Sequence, residues 1–122
     1  MMYLAVFVGG ALGSLVRELA TPWLPAGGAL TATFVVNVVA CFVLGWLYAA
    51  RHRLHPHALH LGAVGFCGGL STFSSFAAEV SALAAAGRVP EAVLAPALEI
   101  SVGLLAAALG ERAGRRVHGA PP

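Results

Sequence analysis

The chain has 122 residues, of which 59% are hydrophobic and only 10% are charged, and its formal net charge is +2. A soluble globular domain carries about 25% charged residues, so this composition excludes one. It also excludes a disordered chain, which requires low hydrophobicity and high charge. A membrane helix needs about 20 apolar residues, so the chain has room for about four spans and for no soluble catalytic domain. We therefore expect an all-α integral membrane protein that is not an enzyme.

Apolar runs separated by helix-breaking residues predict four transmembrane helices in a single membrane domain. The approximate spans are residues 4–19, 30–50, 61–86 and 93–109 of the domain 1–122. Proline and glycine mark the first and third breaks, with Pro22, Pro25, Gly27 and Gly28 in one and Gly87 and Pro90 in the other. The second break is a polar loop, residues 51–60, that holds four histidines. We expect it to be solvated rather than metal-binding, because Pro56 interrupts any shared helical face.

Small residues recur at a spacing of four in the first two spans. In the first span they are Gly9 and Gly13, and Arg17 follows one turn later on the same face. This spacing is typical of helices that approach each other closely in lipid. In the second span the stripe consists of Thr33, Asn37, Cys41 and Gly45. Two interpretations of Asn37 are open: it joins helices by hydrogen bonds, or it donates to a solute on a pathway.

The third span contains two adjacent glycines and four hydroxyl residues in its middle, in the sequence Gly65 to Phe76 (GFCGGLSTFSSF). Glycine lowers helix propensity, so we expect a break between residues 68 and 72. Backbone groups freed at membrane depth are tolerated only where they are buried in protein or line a cavity, and the carbonyl end of the first half-helix favours a cation. Phe73 and Phe76 share one face, where they either pack in the core or turn their positive ring edges to an anion.

The third-span sequence, with Glu79 three residues after it, resembles the signature of the CrcB/Fluc fluoride channel family. Residues 9–17 and 33–45 resemble the first-helix and second-helix motifs of the same family. The resemblance implies a passive, fluoride-selective channel in the cell inner (plasma) membrane. Such a channel exports F⁻ down its electrochemical gradient and relieves fluoride toxicity.

The resemblance also implies a dual-topology, antiparallel dimer with two pores and a third helix that is broken in mid-membrane. A homodimer is expected ahead of a heterodimer with a paired homologue. One structural sodium ion, which is not transported, would be bound at the centre by the backbone carbonyls of Gly68 and Ser71. The residues implied along the fluoride pore are Phe73, Phe76, Asn37, Thr72, Ser74, Ser75, Ser101, Glu79 and Arg17.

Glu99 in the fourth span is unexpected for this family. An ionisable residue inside a membrane helix is a functional candidate by default, so two interpretations are open. Glu99 pairs with an arginine across the dimer, or it is protonated.

Two other functions remain as alternatives. A proton-coupled antiporter of the small multidrug type has a similar size, but it needs a carboxylate in the middle of the first helix, where this chain has none before Glu18. A non-conducting assembly subunit would pack through its glycine faces and would have no need for the Ser/Thr/Phe cluster.

Overall fold

The computed structural model describes residues 1–25 and 31–119. The helices of this part of the chain are α1 (Met2–Ala20), α2 (Ala32–Ala49), α3 (Pro56–Leu59), α4 (Cys67–Leu70), α5 (Phe73–Ala85) and α6 (Val89–His118). A π-helical segment, His60–Phe66, joins α3 to α4. Gly27, Gly28 and Leu30, assigned by the sequence to the first break and the start of the second span, lie outside the described residues.

Within residues 1–25 and 31–119, four helical segments are long and apolar enough to cross a membrane, and they confirm the all-helical, multi-pass prediction. They are Met2–Trp23, Ala32–Ala49, Pro56–Ala85 and Val89–His118. The fourth has 30 residues, so at about 1.5 Å per residue it is about 45 Å long. This helix therefore extends at both ends beyond the apolar run at residues 93–109.

The polar loop is shorter than the sequence predicted, because α3 begins at Pro56. Proline fits the first helical position, where its missing N–H would have no partner and its fixed φ is already helical. The ring of His55 caps this start, since its Nδ1 accepts from the backbone N–H of His57 at 3.2 Å. The prediction that residues 56–60 belong to a loop is therefore wrong.

Glycines bring α1 and the segment from His60 to Leu70 into backbone contact. A side chain on Gly9 would collide with the carbonyl of Leu61, and one on Gly13 with the carbonyl of Phe66. The close packing predicted from the spacing of these two glycines is confirmed. The contacts advance in the same direction along both segments, so the two helices run parallel.

A second parallel pair consists of α2 and α6. Gly45 of α2 lies against the carbonyl of Ala107, and Gly110 of α6 lies against the carbonyl of Phe42. Gly114 packs on Trp46, one turn further along both helices. Consecutive membrane spans alternate in direction, so a parallel pair joins spans that are two apart. The molecule is thus built from two glycine-packed pairs, first with third and second with fourth.

The third segment is interrupted between α4 and α5. Ser71 (φ −74°, ψ 158°) and Thr72 (φ −143°, ψ 112°) have extended backbones. The N–H of Ser71 still donates to the carbonyl of Cys67 at 3.0 Å, so α4 closes with a regular turn. Thr72 then caps α5 by accepting from the N–H of Ser75 at 3.2 Å. This interruption, which we call the helix break, faces α2 and positions the site.

Candidate functional site

The amide of Asn37 holds the helix break in place from α2. Its Oδ1 accepts from the N–H of Thr72 at 2.7 Å, and its Nδ2 donates to the carbonyl of Thr72 at 3.3 Å. The first N–H groups of a helix lack partners inside it, and Asn37 supplies one for the start of α5. The side chain thus pairs with the extended backbone as a neighbouring strand would.

The same Nδ2 of Asn37 also donates to Glu99 Oε1 of α6, at 2.6 Å. Both side chains are half-buried. Asn37 therefore connects the helix break to α6, as the helix-joining interpretation expects, and it also lines a cavity. Its donation to a solute stays a prediction.

Hydroxyl groups cluster around Thr72 at the start of α5. Thr72 Oγ1 donates to Ser75 Oγ at 3.1 Å and lies 3.3 Å from Ser74 Oγ. This hydroxyl also accepts from the Ser75 N–H, as described above. The three residues are adjacent in sequence, so a capped first turn is enough to bring their hydroxyls together.

Phe73 and Phe76 stand side by side on α5. Their ring centroids are 5.8 Å apart and their planes are inclined by 35°. Phe73 is 80% exposed, whereas Phe76 is half-buried. A core pair would be covered on both rings, so the exposure of Phe73 argues against the core interpretation for this chain on its own.

Two cavities adjoin at Phe76 and Glu99. The larger, of about 510 Å³, is mostly apolar, and its polar lining residues are Asn37, Ser71, Thr72 and Glu99. The smaller, of about 330 Å³, has a more charged lining that includes Thr31, Glu79, Arg88 and Glu99. Phe73 lines the larger cavity only. Phe76 and Glu99 thus lie where the two cavities meet.

Glu79 is held in the smaller cavity by a residue that the sequence analysis missed. Thr31 Oγ1 donates to Glu79 Oε2 at 3.0 Å and accepts from the N–H of Phe34 at 3.2 Å, so Thr31 also caps α2. A hydroxyl residue directly before a long apolar run is typical of a helix N-cap. That signal places Thr31 at the start of α2, but it does not reveal the contact with Glu79.

Arg17 lies at the carbonyl end of α4. Its Nη1 donates to the carbonyls of Gly69 at 2.8 Å and of Ser71 at 3.1 Å. Ser14, which the sequence analysis did not single out for the site, donates to the same Gly69 carbonyl at 3.4 Å. A cation near the C-terminus of a helix compensates the negative end of its dipole. Arg17 therefore stabilises the helix break from α1, while Asn37 does so from α2.

Two of the sequence-predicted residues stand apart from this cluster. Ser101 is exposed, and its hydroxyl donates to the carbonyl of Ala97 on its own helix at 2.7 Å. Gly68 is exposed, with open space where a side chain would be. Neither is among the described residues that line the two cavities. Their roles stay predictions.

Known proteins resemble this chain over most of its length. A family model described as "CrcB-like protein, Camphor Resistance (CrcB)" matches residues 4–111, which include every residue of the site. A protein of Ruegeria pomeroyi named "Fluoride-specific ion channel FluC" is 62% identical over 113 residues, which is 93% of this chain and 90% of that protein. Proteins of the same name from Ignicoccus hospitalis and Azotobacter vinelandii are 40% identical over 115 residues and 41% identical over 110. The first of these two alignments covers 92% of this chain and 94% of the relative, and the second covers 84% and 88%.

Proposed function

The chain belongs to the CrcB family of fluoride channels, and from this premise we propose that it is a passive, fluoride-selective channel. The observation that carries the proposal is the set of hydrogen-bond donors and aromatic rings gathered around the helix break. Fluoride is small and strongly hydrated, so a pore must replace the water that the ion loses. Amide and hydroxyl donors can do so, and conduction also requires that they bind weakly enough to release the ion.

The proposed path follows the two cavities. Fluoride passes the ring edges of Phe73 and Phe76, which carry partial positive charge. Asn37 donates to the ion, and the hydroxyls of Thr72, Ser74 and Ser75 extend the row of donors. Glu79 stands near the pore in the smaller cavity and Arg17 stands at a vestibule. Ser101 lines neither cavity, and the proposal keeps it as a pore residue of α6. The larger cavity has no arginine among its described lining residues, so no fixed cation traps the ion there.

A structural sodium ion is part of the proposal, and the carbonyl groups at the helix break fit a monovalent cation. The end of α4 carries the negative end of a helix dipole, and Gly68 has open space beside it. The N–H of Thr72 donates to Asn37 rather than back into α4. The Ser71 carbonyl accepts from Arg17, but a carbonyl oxygen has two lone pairs. When bound, sodium would supply a fixed positive charge that holds the helix break.

We also propose an antiparallel dimer, a homodimer ahead of a heterodimer with a paired homologue. A second copy would cover the open side of the larger cavity, where Phe73 is exposed, and would place two pores along the interface. The helix break would then lie in mid-membrane. In the inner (plasma) membrane, the negative interior would drive the anion outward without a chemical energy source.

The test is fluoride efflux from liposomes that contain this chain alone, measured with a fluoride electrode, with chloride as the control ion. The proposal expects fast fluoride efflux and no chloride efflux. Incorporated protein that releases neither ion would contradict it and would favour an assembly subunit. Drug transport that is lost on Glu79→Gln would favour the antiporter.

A further inference from the structure

The C-terminal part of α6 carries an exposed row of two leucines followed by two arginines. Leu105, Leu109, Arg112 and Arg116 succeed one another at spacings of four, three and four residues, which places them on one face of the helix. We call this row the outer stripe. Leu105 is 63% exposed and Leu109 is 55% exposed, and both arginines are exposed as well. The outer stripe thus changes from apolar to basic within about one helical turn.

The outer stripe lies on the side of α6 that faces neither α2 nor the larger cavity. Gly114, which packs on Trp46 of α2, comes nine residues after Leu105, so at about 100° per residue it lies half a turn around the helix. Ile100 and Leu104 line the larger cavity, and they lie about 140° and about 100° around the helix from Leu105. A second copy that covers the larger cavity would therefore leave the outer stripe facing lipid.

A tryptophan of α2 indicates that the two arginines lie at the edge of the bilayer. Trp46 is exposed, and it packs against Gly114, which lies between Arg112 and Arg116 along α6. Tryptophan is enriched at membrane–water interfaces, where its ring lies at the level of the lipid headgroups. Arg112 comes three residues after Leu109, or about 4.5 Å along the helix axis beyond the apolar run. The guanidinium groups therefore lie at the level of lipid phosphates, and the leucines lie beside the acyl chains.

The two arginines of the outer stripe are not neutralised by carboxylates of the chain. Among residues 1–25 and 31–119, neither Arg112 nor Arg116 is within ion-pair distance of a carboxylate. Arg115, which lies off the stripe, is instead engaged by Glu111. Side chains one turn apart on a helix have Cβ atoms about 5–6 Å apart, so both guanidinium groups can reach the same phosphate. Hydrogen bonds between arginine and phosphate are charge-assisted and frequently bidentate.

We infer that the outer stripe binds an anionic phospholipid, with the phosphate between Arg112 and Arg116 and an acyl chain along Leu109 and Leu105. A zwitterionic lipid carries a cation in its headgroup that opposes the arginines, so phosphatidylglycerol binds more tightly than phosphatidylcholine. The bound lipid stabilises the folded chain, because a ligand that binds only the folded state raises its stability. Salt screens the attraction between exposed charges, so the preference for the anionic lipid weakens as ionic strength rises.

The experiment measures the melting temperature of the purified chain in neutral detergent while phosphatidylglycerol, or phosphatidylcholine with the same acyl chains, is added. The test variant combines Arg112→Gln and Arg116→Gln. The matched control combines Arg53→Gln and Arg115→Gln, because Arg53 lies beside Gly119 at the same end of the molecule. The control removes the same net charge and leaves the outer stripe intact. Inorganic phosphate at equal ionic strength tests whether phosphate alone is enough, and size-exclusion chromatography follows assembly.

Phosphatidylglycerol should stabilise the wild type at a concentration at least about tenfold lower than phosphatidylcholine does. Two arginines near the surface are together worth about thirtyfold in affinity, so the test variant should lose the preference and the control should keep it. Inorganic phosphate should give no shift. A wild type that responds equally to both lipids overturns the inference even if no variant folds. So does a control that loses as much as the test variant, an equal shift with inorganic phosphate, or a test variant whose elution changes because the stripe joins two copies. None of these measurements involves fluoride flux, so their failure leaves the proposed channel function standing.

Discussion

At the scale of single residues, Asn37 has two roles: its side chain holds the helix break, and it is the proposed hydrogen-bond donor to fluoride. Its bonds to Thr72 fix the helix break, and rigid bonds of this kind resist change. Its bond to Glu99 occupies the donor that the proposed fluoride path would use. The amide therefore links the backbone of the helix break to a carboxylate of α6.

The rings give the first prediction, that Phe73→Ile or Phe76→Ile lowers fluoride flux about tenfold while assembly is unchanged. Isoleucine keeps an apolar volume but lacks the positive ring edge. A tenfold loss of flux corresponds to the loss of an interaction worth about 1.4 kcal/mol. Phe7→Ile is the matched control, since Phe7 is an exposed ring on α1 away from both cavities. Flux is measured in liposomes and assembly by size-exclusion chromatography. Unchanged flux in both variants would remove the rings from the pore.

At the scale of helices, the glycine contacts make a sharp stability prediction. A Cβ on Gly9 meets the backbone carbonyl of Leu61, which cannot move aside as a side chain can, whereas a Cβ on Gly10 meets only an ordinary contact at 3.8 Å. Overpacking of this kind costs about 1–3 kcal/mol, and a glycine inside a helix costs about 0.5–1 kcal/mol relative to alanine. Gly9→Ala should therefore lower the melting temperature in detergent, and Gly10→Ala should keep or raise it. Equal shifts in melting temperature for Gly9→Ala and Gly10→Ala would contradict the packing of α1.

The helix break gives a prediction about ions. If the carbonyls of Gly68 and Ser71 bind a structural sodium, fluoride flux should fall strongly in sodium-free buffer and return when sodium is added. Without the ion, the carbonyl groups at the end of α4 would lose the positive charge that holds the helix break in place. The measurement compares sodium with lithium and potassium at equal ionic strength, and it includes a check that radioactive sodium is not transported. Full activity in lithium or potassium would reject the sodium site.

The sequence was most informative where the chemistry is local. The capped start of α5, the hydroxyl cluster and the close approach at Gly9 all follow from residues within a turn or two of one another. The partners of those residues could not be predicted, because α6 is apolar on most of its surface and its periodicity does not say which face meets α2. For that reason Glu99 could be identified as unusual but could not be connected to Asn37. The contact between Thr31 and Glu79 was missed for the same reason.

At the scale of the whole molecule, the arginines predict an orientation. Arginine near the ends of membrane spans favours the cytoplasmic side, and four spans place the N-terminus, the second loop and the C-terminus together. That side carries Arg51, Arg53, Arg112, Arg115 and Arg116, against Arg17 and Arg88 on the other. We expect the termini to lie mainly in the cytoplasm. Reporter fusions at the C-terminus measure on which side of the membrane the termini lie. Equal cytoplasmic and external signals would reject the preference for a cytoplasmic location. A one-sided signal, with no flux from the chain alone, would instead require an oppositely oriented homologue.

The pairing of helices that are two spans apart has a consequence for biogenesis. The glycine-mediated backbone contacts of α1 and α2 are made with later spans. During insertion, α1 can therefore complete these contacts only after the segment that ends at Leu70 has entered the bilayer, and α2 only after α6 has entered. Asn37 can meet Thr72 once the third span is in place, but it meets Glu99 only after the last helix has entered the bilayer. The contacts of Glu99, which borders both cavities, are therefore the last of these to be completed.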